Sequence, residues 1–137
     1  MSLNDESIDG IVTSPPYSIA LDYVSNDAHA LEELNNDPAE VREDFMGVRG
    51  KGPARIDLYN EDMRKSLKEM YRVLRPQRYA VIVIGNATYL GEEVKTVQFT
   101  IDYAENIGFK LVKNIDKIIF GLYNIMLKEN ILIFQKS

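Results

Sequence analysis

The stretch that decides the fold is IDGIVTSPPYS, residues 8–18. Its first six residues, IDGIVT, form a short apolar run. The Ser-Pro-Pro that follows interrupts this run, because proline lacks the N–H that a sheet ladder needs. The run therefore predicts a buried strand over Ile8–Thr13 whose carboxyl end meets a loop. That end of a strand is where α/β proteins bind their ligands.

Apolar spacing predicts two amphipathic helices further along the chain. In the first, from about Ile56 to Leu74, apolar residues recur at intervals of three and four until Arg75-Pro76. The second is marked by Val94, Val97, Ile101, Ala104 and Ile107. It stops at Gly108, which suits a left-handed C-terminal cap.

Strand-like runs alternate with these helices. YAVIVI, residues 79–84, is a β-branched run that predicts a central strand buried on both faces. Residues 109–120 and 130–136 predict an antiparallel hairpin with a long connection over 121–129. The resulting order predicts an α/β fold with a largely parallel sheet. The polar, irregular residues 18–55 are expected to form a loop region on the substrate side.

The composition bounds the function. With 137 residues, 45% hydrophobic and 27% charged, the chain is expected to form one globular domain over residues 1–137. No run approaches the roughly 20 apolar residues of a membrane span. The absence of cysteine and the single His29 exclude disulfides, thiolate nucleophiles and Cys or His metal sites. The N-terminus lacks a signal-peptide pattern, so a cytoplasmic location is expected.

Charge is unevenly distributed. The net charge of −5 argues against a nucleic-acid partner, but residues 48–81 hold nine basic and four acidic side chains. Such a local field suits phosphate backbones, although the charged face of a helix has the same composition. Arg49, Lys51 and Arg55 lie in a glycine-rich stretch that follows no strand. They are predicted to contact phosphates, and the stretch is read as a substrate-side loop instead of a dinucleotide-binding one.

The Ser-Pro-Pro-Tyr segment suggests a specific chemistry. Two prolines hold the backbone near polyproline geometry, so the surrounding carbonyls are expected to point rigidly and remain unpaired. An exocyclic amino group needs acceptors that hold its hydrogens before its nitrogen can attack an electrophile. Ser14 and the Pro15 carbonyl would supply them, and Tyr17 offers a ring on which a planar base can stack.

These residues resemble the [Ser/Asp/Asn]-Pro-Pro-[Tyr/Phe] motif of S-adenosylmethionine-dependent amino-methyltransferases, which modify N4 of cytosine or N6 of adenine in DNA. The serine form is most similar to N4-cytosine enzymes. Residues 63–85 resemble the helix, turn and strand that follow the motif in that family, with Gln77-Arg78 in place of the usual Gly-Gly. Gly108-Phe109 and the terminal hairpin resemble the last two strands of its sheet.

The resemblance implies the roles of the site residues. Ser14, Pro15, Pro16 and Tyr17 would be catalytic, holding a flipped base whose amine attacks the methyl group of S-adenosylmethionine. Ser14 and Asn86 would contact this cofactor, although Asn86 would equally suit the capping of a turn. Tyr23 would contact the target base in DNA, and a packing role for it is equally open.

The family's glycine-rich cofactor loop does not occur in this sequence. We therefore expect a partial Rossmann-like methyltransferase sheet, strands four to seven with an antiparallel terminal hairpin, without the cofactor-binding strands one to three. A half-enzyme, an RNA methyltransferase of the same fold and a non-catalytic assembly module all remain open. The exposed edge of Ile8–Thr13 is expected to be covered by a homodimer or a complementing chain.

Overall fold

The computed structural model describes residues 2–16, 53–89, 92–120 and 126–137. The elements follow in the order β1 (Ile8–Thr13), α1 (Pro53–Val73), β2 (Leu74–Ile84), β3 (Ala87–Tyr89), β4 (Glu92–Val94), α2 (Thr96–Ile107), β5 (Phe109–Phe120) and β6 (Met126–Lys136). The predicted loop region 18–55 lies outside the described residues except for its last three, which begin α1.

The main sheet has four strands in the order β1-β2-β6-β5. β1 pairs with β2 in parallel, and β2 with β6 and β6 with β5 are antiparallel. The predicted α/β class and the antiparallel terminal hairpin are confirmed. Among the described strands, however, the sheet is mixed and not largely parallel, because the terminal hairpin supplies two of its three ladders.

Helix α1 covers one face of this sheet. Its apolar stripe packs against strand residues that are themselves fully buried: Ala80, Ile82 and Ile84 of β2, and Leu132 and Phe134 of β6. The prediction that β2 is buried on both faces was wrong. Val81 and Val83 are only half-buried, and Tyr79 is 47% exposed.

The turn predicted at Arg75-Pro76 appears as an interruption of the β1–β2 ladder. Helix α1 ends at Val73 and β2 begins at the next residue. The pairing then moves from Ile8↔Leu74 to Gly10↔Tyr79, so that residues 75–78 bulge out of register. Gln77 within the bulge has a positive φ of 69°. The predicted turn is therefore present as residues 75–78, within the bounds given for β2.

Two connections differ from the predictions. Val94 belongs to β4 and not to a helix, because β3 and β4 form a short antiparallel hairpin before α2 begins at Thr96. β6 begins at Met126, four residues earlier than expected, so the terminal hairpin has a shorter connection. Gly108 follows α2 with φ 120°, and its N–H is donated to the carbonyls of Ala104 and Glu105. This confirms that the helix ends at a glycine cap.

None of the helices in the described ranges combines the length and the apolar character that a bilayer crossing would require.

Candidate active site

The Ser-Pro-Pro segment and Asn86 lie at one edge of the sheet. Thr13, the last residue of β1, stands opposite Ile82 near the end of β2. Ser14 follows β1 directly, and Asn86 follows β2 after one glycine. Because parallel strands present their carboxyl ends at the same edge, the structure brings these two predicted site residues to the same side of the sheet.

In the Ser-Pro-Pro segment an exposed serine is followed by a buried proline and by a carbonyl that is hydrogen-bonded to α1. Ser14 is exposed, Pro15 is buried and Pro16 is half-buried. The phenol of Tyr59 in α1 donates a hydrogen bond of 2.5 Å to the Pro16 carbonyl. The expectation that the carbonyls here remain unpaired was therefore wrong for Pro16.

Tyr59 was not among the residues predicted from the sequence. Its side chain is 1% exposed, and burial raises the pKa of its phenol far above the usual value. The phenol is therefore a permanent hydrogen-bond donor in the physiological pH range. One signal was present: Tyr59 lies four residues before Met63, so extending the apolar stripe of α1 by one turn reaches it.

Asn86 ties the end of β2 to the elements that follow. Its Oδ1 accepts a hydrogen bond from the N–H of Val97 at 2.9 Å, and its Nδ2 donates to Oε1 of Glu93 at 2.9 Å. This is the capping role that the sequence left open. A cofactor contact by the same amide stays a prediction.

Of the residues predicted to contact the base or the phosphates, the structure describes Arg55. Tyr17, Tyr23, Arg49 and Lys51 lie outside the described residues. Arg55 is half-buried in the first turn of α1, and so belongs to a helix instead of a loop.

The basic face of α1 makes contacts within the protein. The Arg64 guanidinium lies 5.1 Å from the ring centroid of Phe99, and Lys65 pairs with Glu61 at 3.2 Å. In the described ranges, the acidic side chains form no group of three or more that could hold a metal ion.

Neutral polar groups follow the carboxyl ends of both parallel strands. The exposed Ser14 follows β1, the Asn86 amide follows β2, and the buried phenol of Tyr59 bonds the carbonyl of Pro16. A parallel strand pair with such a segment at its carboxyl end, continued by an antiparallel hairpin, has the architecture of an α/β methyltransferase sheet.

The family comparison agrees with this class. The DNA methylase family model, which covers N6 and N4 methyltransferases, matches residues 8–136. The chain therefore belongs to the N6/N4 DNA methylase family. No curated protein is similar enough to count as a match.

Solved structures share the fold. PvuII DNA methyltransferase, named as cytosine-N4-specific, is 15% identical with a TM-score of 0.63 over 99% of this chain and 45% of its own. A protein of Thermus thermophilus named as a DNA modification methylase, complexed with S-adenosyl-L-methionine, is 21% identical with a TM-score of 0.55 over 99% and 50%.

A SAM-dependent methyltransferase of Methanosarcina mazei is 14% identical with a TM-score of 0.55, over 99% of this chain and 62% of its own. At these identities the likenesses establish a common fold. This chain spans about half the length of the Thermus and PvuII proteins.

Proposed function

We propose that the chain forms the substrate-side part of an S-adenosylmethionine-dependent DNA amino-methyltransferase, with N4 of cytosine favoured over N6 of adenine. The observation that carries the proposal is the exposed Ser14 at the carboxyl end of β1, followed by Pro15 and Pro16, in a chain of the DNA methylase family. The serine form of the motif and the fold shared with a cytosine-N4-specific enzyme support cytosine.

The chain's own residues would act on the amine. Ser14 Oγ and the Pro15 carbonyl would accept hydrogen bonds from its two N–H groups, which leaves the nitrogen free to become pyramidal and attack the methyl carbon. The N–C bond would form as the C–S bond breaks, S-adenosylhomocysteine would leave, and the methylated amine would lose one proton to water. Tyr17 stacks on the flipped base, and Tyr23 contacts it. Arg49, Lys51 and Arg55 contact the phosphate backbone.

The residues at this edge suit S-adenosylmethionine in part. The Ser14 hydroxyl and the Asn86 amide are neutral hydrogen-bonding groups at one sheet edge and would contact the cofactor, while the glycine-rich loop is not in this sequence. When bound, the cofactor supplies a methyl group on a sulfonium, so transfer to the amine needs no covalent enzyme intermediate. The remaining contacts would come from a further polypeptide segment.

The partner proposal rests on the edge of β1. Among the described strands, β1 pairs on one side only, and Val12, opposite Val81, is 81% exposed. A second copy or a complementing chain that extends the sheet would cover this edge. Val12→Lys should then weaken association in light scattering. Val112→Lys on β5, where Val112 is 49% exposed, is the matched control.

The proposed function is tested first by titration calorimetry of S-adenosylmethionine into the chain, alone and with any complementing chain. Transfer of a labelled methyl group to cytosine-containing, adenine-containing and RNA oligonucleotides follows. Ser14→Ala should lower the initial rate by about 100-fold, as loss of one preorganised polar group at a reacting centre does. Ser66→Ala is the control, since its hydroxyl bonds the Asp62 carbonyl within α1.

Each outcome assigns a function. Transfer to RNA alone would make the chain an RNA methyltransferase of this fold. Absence of both binding and transfer, with or without a partner, would favour a non-catalytic assembly module, which the missing glycine-rich loop also favours. An undiminished rate in Ser14→Ala would refute the site assignment. The cytoplasmic location is part of the same proposal and is checked by cell fractionation.

A further inference from the structure

Tyr59 makes a long-range hydrogen bond to the candidate site. Its phenol in α1 lies 2.5 Å from the carbonyl oxygen of Pro16, which is 43 residues earlier in the chain. The Tyr59 side chain is 1% exposed and Pro16 is half-buried, so the bond is shielded from water on the side of the phenol. An unmade bond here would leave both a buried hydroxyl and a carbonyl without their partners.

The Ser-Pro-Pro segment has a particular need for such a donor. Neither Pro15 nor Pro16 has an N–H, so the segment cannot donate ladder hydrogen bonds at these positions. At these positions, only the carbonyls can form backbone hydrogen bonds with the rest of the protein. A donor placed on another element is therefore the direct way to fix the segment beyond the end of β1.

The donor itself is held firmly. Tyr59 lies one helical turn before Met63 and two before Leu67, and both of these side chains are fully buried against the sheet. The packing of α1 on the core therefore fixes the position of the phenol. The hydrogen bond links that packing to the edge where Ser14 stands.

We propose that Tyr59 is a positioning residue for methyl transfer: by holding the Pro16 carbonyl it fixes the backbone that presents Ser14 Oγ and the Pro15 carbonyl to the substrate amine. The inference rests on the proposed function and deepens it. It also gives the three acceptors different partners. The Pro16 carbonyl accepts a hydrogen bond from Tyr59, while Ser14 Oγ and the Pro15 carbonyl would accept hydrogen bonds from the substrate amine.

The hydrogen bond is tested directly by isotope-edited infrared spectroscopy of the full chain. Proline labelled with ¹³C at the carbonyl is incorporated, and the Pro16 band is assigned by its loss in Pro16→Ala. In Tyr59→Phe this band should move to higher frequency, because the carbonyl loses its donor. Tyr71→Phe is the matched control: it removes a phenol of the same helix that bonds Ser137 at 3.2 Å, and it should leave the band in place.

The positioning role is tested by steady-state kinetics of the same variants. Tyr59→Phe should lower kcat by about 100-fold, as misplacement of a reacting group by about 1 Å does. Its KM for S-adenosylmethionine should change less than kcat, because Asn86, the other proposed cofactor contact, is held by Val97 and Glu93 and stays in place. A variant with only reduced folding would instead lose active fraction, which active-site titration with S-adenosylhomocysteine corrects.

The failures can be told apart. An unmoved infrared band, or a kcat equal to that of Tyr71→Phe, would overturn the role of Tyr59 while methylation by the wild-type chain upholds the proposed function. If the wild-type chain transfers no methyl group either alone or with a complementing chain, the proposed function fails, and the positioning role of Tyr59 in methyl transfer fails with it. A shifted band in Tyr59→Phe would then show only that the bond holds the segment.

Discussion

The side-chain oxygen of Asn86 lies 2.9 Å from the backbone nitrogen of Val97 and accepts its hydrogen bond. Val97 is the second residue of α2, and the N-cap residue of that helix, Lys95, makes no side-chain cap hydrogen bond. Asn86 therefore supplies from the end of β2 what a local cap residue usually supplies. Its amide nitrogen is held by Glu93, so both ends of the group are fixed.

Asn86→Ala is expected to lower the free energy of unfolding by about 1 kcal/mol, the usual cost of losing a helix cap. Urea unfolding measures the change. Asn106→Ala, at an exposed position in the last turn of the same helix, is the control and should be neutral or slightly stabilising. If calorimetry finds that Asn86→Ala binds S-adenosylmethionine as tightly as the wild type, the predicted cofactor contact is refuted and the cap remains.

Gln77→Gly is expected to stabilise the chain. Gln77 has φ 69°, a left-handed conformation that costs a side-chain-bearing residue about 1–2 kcal/mol, and the greater flexibility of glycine in the unfolded chain returns part of this. The net gain should be up to about 1 kcal/mol by urea unfolding. Arg78→Gly, at the neighbouring exposed position, removes no such strain and should destabilise. Equal effects of the two substitutions would contradict the explanation.

The sequence predicted those elements whose residues repeat at a regular period. β1 was predicted with its observed bounds, and the run 79–84 lies within β2, because apolar runs ended by proline or glycine mark buried strands. The hairpin β3–β4 was missed because three-residue strands carry no period. Val94 was wrongly assigned to the second helix because it stands three residues before Val97, which is also a helical spacing.

Contacts between distant elements were beyond local patterns. The run 79–84 is apolar at every position, but which of its faces is covered depends on how many elements pack on the sheet. Tyr59 reads as one more core residue of α1, and only the packing of that helix places its hydroxyl at Pro16. The motif predicts Ser14 and its neighbours as site residues because a Pro-Pro pair constrains the backbone wherever it stands.

The pairing of Glu69 with Arg72 should make stability depend on pH. Hydrogen bonds from the Arg72 guanidinium lower the pKa of the Glu69 carboxyl from its usual 4.5. A carboxyl whose folded pKa is depressed stabilises the protein above its unfolded pKa, and this stabilisation is lost as the pH falls through the folded value. The difference in urea midpoint between the wild type and Glu69→Gln should therefore shrink as the pH is lowered from 6 to below about 4.5.

Glu61→Gln is the control for removing one carboxylate from α1, since Glu61 pairs with the exposed Lys65. Added salt should also reduce the contribution of Glu69, because the pair with Arg72 is open to solvent. A difference between the wild type and Glu69→Gln that stays constant from about pH 6 to 3 would contradict the linkage.

Lys136 is expected to contribute more to stability than any exposed lysine. It is 6% exposed, and its Nζ donates hydrogen bonds to the carbonyls of Tyr71 at 2.7 Å and Leu74 at 2.8 Å, which close the C-terminal end of α1. Lys136→Met keeps the length of the side chain but removes the ammonium donor from both carbonyls. The free energy of unfolding in urea should fall by about 2–3 kcal/mol. Lys110→Met, at an exposed position on β5, should change it by less than about 0.5 kcal/mol. Equal losses in the two variants would show that the Lys136 ammonium does not cap the helix.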